Sequence, residues 1–92
     1  MEGIEFDPAK RYKTLHERGL DFADALEVLT GPLLTWPDQR RDYGEERFIS
    51  FGLLRHEAVV LVWTPRGNAY RIISMRKANE REIARYIDAL GG

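Results

Sequence analysis

The sequence predicts an α+β fold in which a small antiparallel sheet packs against helices, in the order β-α-α-β-β-β-β-α. Three observations carry this. Two capped stretches near the start and one at the end place apolar residues at helical spacing. Between them, Ala58 to Thr64 reads AVVLVWT, nearly all β-branched or aromatic, as a strand buried on both faces requires. The connections between strand candidates are short and hold proline and glycine, which favours an antiparallel meander.

The elements follow in order. Ile4-Glu5-Phe6 is a short strand candidate. Asp7-Pro8 reads as a helix cap followed by proline at the first helical position, and the helix runs to Arg18 with Gly19 as its C-terminal cap. Tyr12 and Leu15 mark its apolar side. Asp21 caps a second helix, with Phe22, Ala25, Leu26 and Leu29 on one stripe, and Gly31-Pro32 ends it. The two form a helical hairpin whose stripes call for a sheet. Leu33–Trp36 is a short strand, residues 37–44 a polar loop, Arg47–Gly52 a strand, and Ala58–Thr64 the central one. Residues 65–68 make a turn and Ala69–Met75 pairs back. Asn79 caps the last helix, with Glu82 placed to complete a capping box and Ile83, Tyr86, Ile87 and Leu90 on its stripe.

With 92 residues, 43% hydrophobic and 32% charged, the chain has the size of one domain with a small core. There is no cysteine, which excludes disulfides and thiolate metal sites, and His16 and His56 have no metal-ligand spacing. No apolar run approaches a membrane span, and the acidic N-terminus is unlike a signal peptide, so the cytoplasm is the expected compartment.

The net charge is −1, but its distribution is uneven. Residues 1–65 hold 8 lysines and arginines against 12 acids; residues 66–86 hold 6 against 2. A basic segment on an acidic body suits a local phosphate site. Within it, YRIISMRK combines strand residues with Arg71, Arg76 and Lys77. By strict alternation Tyr70, Ile72, Ser74 and Arg76 share one face, and Arg71, Ile73 and Met75 the other. Arg76 and Lys77 stand just before a helix N-terminus. The helix dipole disfavours cations there unless an anion is present, so this is the foremost phosphate-binding candidate. Trp36 and Trp63 have the chemistry to stack on bases, although Trp63, in so apolar a strand, reads first as core, as does Tyr86.

The chain also resembles the BrnT family of toxin–antitoxin ribonucleases. The resemblance rests on Phe6-Asp7-Pro8-Ala9-Lys10, the run Gly19 to Ala25, Asp38 followed by Gly44-Glu45-Glu46-Arg47, Thr64-Pro65-Arg66-Gly67, and Arg71 to Ala78 before Glu82 and Tyr86. Together these cover nearly the whole chain. Glu17-Arg18-Gly19 departs from the family's usual Lys-His-Gly, and Met75 stands where alanine is usual.

The resemblance implies a RelE-like fold and a ribonuclease toxin that arrests translation, with no metal or organic cofactor. It also implies a cognate ribbon-helix-helix antitoxin, a complex of two toxins with two antitoxins, and contact with DNA only through the antitoxin. Metal-free RNA cleavage uses the ribose 2′-OH as nucleophile. It needs a base to take the 2′-OH proton, cations for the charge that builds on phosphorus, and an acid for the leaving 5′-oxygen. The candidates are Arg76 and Arg71 on the phosphate, Glu46 as base, and Arg66, Lys77 and Arg47 on the RNA. The alternative is a catalytically degenerate regulatory or protein-binding module of the same fold. A DNA-binding helix pair is disfavoured, because Asp21 to Thr30 carries no cation.

Overall fold

The computed structural model describes residues 3–91. Its strands are β1 (Gly3–Phe6), β2 (Leu34–Pro37), β3 (Phe48–Leu54), β4 (Glu57–Arg66) and β5 (Ala69–Lys77), and its helices α1 (Pro8–Arg18), α2 (Ala25–Leu29) and α3 (Glu80–Ala89). A single 3₁₀ turn over Phe22–Asp24 leads into α2. The α+β class and the element order agree with the sequence reading. The sheet order is β1-β5-β4-β3-β2. The run β2 to β5 is the expected antiparallel meander, while β1 adds beside β5 in parallel, so the sheet as a whole is mixed.

The meander follows from its turns. β3 and β4 are joined by Arg55-His56, both with positive φ (48° and 73°). That is the backbone twist a two-residue hairpin demands, and His56 is a turn residue. Gly67 (φ 59°) supplies the same freedom between β4 and β5.

Helices cover both faces of the sheet. On one face Phe22, Ala25, Val28 and Leu29 pack with Leu61, Trp63, Ile72 and Met75. On the other, Tyr86 and Ile83 of α3 pack with Phe51 and Val60. β4 lies in the centre with Val59 to Thr64 all buried, as its composition requires. Gly52 lets α2 approach closely: a Cβ there would meet Val28 Cγ1 at 2.8 Å.

The helical hairpin does not sit as its stripes suggested. Only its second half rests on the sheet. α1 buries no residue, and Tyr12 and Leu15 are 65% and 42% exposed. Polar contacts hold it instead. Asp7 accepts from Ala9 N–H, and Gly19 in the left-handed region closes the C-terminus on Leu15. Arg11 makes a two-pronged pair with Asp21 (2.7 and 3.0 Å). Arg18 donates to the Met75 carbonyl at 2.9 Å, beyond the reach of β1, which pairs with β5 only as far as Ile72. Arg18 therefore caps an otherwise open sheet edge.

β5 departs from regular alternation. Val62 pairs with Ser74 and Trp63 with Ile72, so Ile73 is an inserted residue, a β-bulge. The bulge resets the faces. Tyr70 and Ile72 join Met75 on the α2 side. Arg71, Ser74 and Arg76 fall opposite Thr64, Val62 and Val60, on the α3 side. The two arginines that strict alternation separates thus share one face.

One buried polar group ties the core together. Ser50 is fully buried; its Oγ accepts from Trp63 Nε1 at 2.8 Å and lies 2.8 Å from Thr35 Oγ1. Replacing Ser50 by alanine leaves the indole N–H without that acceptor. We expect Ser50→Ala to lower stability by about 1–3 kcal/mol in urea unfolding, with the folded spectrum retained.

Candidate functional site

Arg76 ends the shared face. Its neighbour Lys77 ends the strand on the opposite face, opposite Val59 of the α2-side core, and pairs with Glu57 at 3.1 Å. The two cations adjacent in sequence are therefore not brought together. Asn79 then caps α3. Its Oδ1 accepts from Glu82 N–H at 2.8 Å, and Glu82 Oε1 accepts from Asn79 N–H at 2.9 Å, the complete capping box.

The same Glu82 carboxylate takes both prongs of Arg76, each at 2.8 Å. An anion does stand between this cation and the helix N-terminus, and the chain itself supplies it. The contact raises the Arg76 pKa, against opposing effects from partial burial and, less, from the nearby Arg40 charge. It also lowers Glu82 from 4.5 to about 2, chiefly through the Arg76 hydrogen bonds and then the backbone N–H of Asn79. The carboxylate occupies the geometry in which a guanidinium grips a phosphate.

Arg71, Arg66, Arg47 and Glu46 gather toward the other end of the sheet. Glu5 of β1 takes Arg71 at 3.0 Å and Arg66 at 3.9 Å. Glu45 takes Arg47 at 3.1 Å and Arg66 at 3.8 Å, and Arg47 lies over the Tyr43 ring at 4.1 Å. Thr64 Oγ1 donates to the Glu46 carbonyl, which sets that exposed loop beside the Arg71 row. Arg71 and Arg76 stand opposite Thr64 and Val60, four residues apart, or about 13 Å at the usual rise of a strand. They line one surface at a spacing too wide to hold a single phosphate together.

Between β2, β3 and α3 lies a cavity of about 440 Å³. Trp36, Ile49, Phe51 and Tyr86 line it, with Arg76 and Arg85 among its charged residues. Trp63 and Tyr86 are core, as expected, and Tyr86 OH donates to the Pro32 carbonyl at 2.7 Å. Sequence reasoning left Arg40 and Arg85 out. Arg40 chelates the buried Asp38 (2.8 and 2.7 Å) and so holds that carboxyl well below the usual range. Asp38 and Arg40 stand two apart in a charged loop, where nothing in the sequence marks Asp38 as buried. Arg85 follows Glu82 by three on one helical face, a spacing that did signal proximity.

The family model described as ribonuclease toxin, BrnT, of type II toxin–antitoxin system matches residues 6–82. No curated protein matches the chain. The chain belongs to the BrnT family of ribonuclease toxins, which act on RNA and are paired with an antitoxin.

The Glu82 contact has a pH signature. A lowered carboxyl pKa contributes stability that is complete above about 4.5 and is lost as pH falls toward about 2. Unfolding of wild type and Glu82→Gln should therefore differ at pH 6, and the difference should shrink steadily between pH 4.5 and pH 2.

Proposed function

We propose that this BrnT-family chain is a metal-independent endoribonuclease that cleaves RNA by attack of the ribose 2′-OH and thereby inhibits translation. The observation that carries this reading is the Arg76–Glu82 pair. A guanidinium at a strand end, beside a helix N-terminus, is already held in the two-pronged geometry that suits an anion. A phosphate that displaces the Glu82 carboxylate meets Arg76 in that geometry.

Arg76 then stabilises the charge that builds on the phosphorus under attack. Arg71, on the same sheet face, takes a second phosphate of the strand, and Arg66 and Arg47 extend the track at that end. Lys77, on the opposite face, contributes through the long-range field. Glu46 is the candidate base: it is exposed, in the loop beside Thr64 and the Arg71 row. A neutralising partner would act by covering this face. We assign that role to a ribbon-helix-helix antitoxin in a complex of two toxins with two antitoxins, in the cytoplasm, with DNA contacted through the antitoxin.

The test is induction in a bacterial host with mapping of RNA ends that carry 2′,3′-cyclic phosphates. Wild type should generate new ends, and Arg76→Ala should lose them while remaining folded by circular dichroism. New ends from both proteins would remove Arg76 from the chemistry. None from either, at equal expression, would favour the degenerate binding module.

A further inference from the structure

The cavity between β2 and α3 has a chemistry that the phosphate contacts do not use. Its floor is apolar and aromatic, built from Ile49, Phe51 and Tyr86. Trp36 forms one wall and is 44% exposed, on the outermost strand of the sheet. The core does not require this ring at the surface. The other tryptophan, Trp63, is buried, stacked on Phe48 and hydrogen-bonded to Ser50.

The charged lining adds a second feature. Arg76 reaches into the cavity from the sheet and Arg85 from α3. Arg76 is held by Glu82. Arg85 forms no ion pair shorter than 4 Å among the described residues, although its charge also helps to lower Glu82. Aromatic walls with an arginine left without a carboxylate fit a polyanion that carries flat rings better than an apolar peptide.

We propose that this groove seats one unpaired nucleobase of the RNA substrate, stacked on Trp36, with Arg85 on an adjoining phosphate. The assignment rests on the ribonuclease reading and deepens it, by making single-stranded RNA the substrate class. About 440 Å³ is room for a base with its ribose and lies within the range of small-ligand sites. A base inside a duplex is stacked on both sides and cannot offer a free face to an indole. The strand must therefore be unpaired where it crosses Trp36. Arg76 lines the same cavity, so a seated base fixes the register of the strand against the cleavage phosphate.

The experiment uses the full chain and a single-stranded 2′-O-methyl oligoribonucleotide, which cannot be cut by 2′-OH attack. Binding is read by anisotropy of a labelled strand and by quenching of tryptophan emission, to which the half-exposed Trp36 is the more accessible contributor. Wild type should bind with quenching. Trp36→Leu should lose roughly tenfold or more in affinity, and Trp36→Phe should keep most of it. Arg85→Ala should weaken binding and flatten its salt dependence. A hairpin duplex of the same composition should bind less well than the single strand. Unfolding midpoints of the variants establish that they are folded.

Equal affinity of wild type and Trp36→Leu overturns the proposal; if wild type still cleaves RNA, the ribonuclease reading survives that result. A preference for the duplex overturns it as well. If wild type neither binds the oligonucleotide nor cleaves RNA, both readings fall. If Trp36→Leu binds RNA normally and instead loses a copurifying protein, the groove is a protein-docking surface and the proposal fails.

Discussion

The bulge at Ile73 is the constraint on which the arrangement of the candidate site depends. One inserted residue in β5 reverses the alternation of everything before it. Without it, Tyr70 and Ile72 would turn away from the core shared by Phe22, Leu61 and Met75. Arg71 would then point into that core, while Arg76 stayed on the other side. With it, both ends of the strand satisfy the same two faces. Apolar burial therefore selects the bulge, and the shared arginine face is its by-product. That ordering matters physically: burying Ile72 and Tyr70 is favourable at every step of folding, whereas aligning two like charges on a sheet face is not.

The acids complete the arrangement. Glu5 is carried by a four-residue strand that pairs with β5 in parallel and sets it beside Arg71 and Arg66. Glu45 stands between Arg47 and Arg66, Glu82 holds Arg76, and Glu57 holds Lys77. These contacts account for the coexistence of a basic segment with a net charge of −1. The acids that balance the segment over residues 66–86 come largely from outside it in sequence and lie beside it in space.

Local chemistry made most of the fold legible. Asp7-Pro8 and Gly19 bounded α1, Asn79 with Glu82 announced the capping box, and AVVLVWT could only be a central strand. What stayed hidden was non-local. The parallel pairing of β1 depends on a partner more than sixty residues away, and four residues carry no signal of it. The exposure of α1 was hidden because Tyr12 and Leu15 look like a core stripe, while the holding contacts are made by Arg11 and Arg18, which no local pattern marks. The bulge was hidden because period-2 reasoning has no term for an inserted residue. For the candidate site, the importance of Arg76 was legible from its place before a helix. Its occupation by Glu82 was not, since the capping box already gave that carboxylate one role.

The pairing of Arg76, Arg71, Arg66, Arg47 and Lys77 with acids bears on how such a surface can hold RNA at all. Exposed ion pairs contribute little, roughly 0–1 kcal/mol each, because water and salt compete for both charges. The side chains of Arg76, Arg66 and Lys77 are all near half exposed, so their pairs belong to this class. Exchanging a carboxylate for a phosphate oxygen at such a site costs little, and the guanidinium is already oriented. The internal acids thus keep the surface near neutral in the absence of RNA, and they hold the arginines oriented. Selectivity for nucleic acid must then come from groups that a carboxylate cannot satisfy. On the proposed reading those are the exposed indole of Trp36 and Arg85 of α3, which forms no ion pair shorter than 4 Å among the described residues.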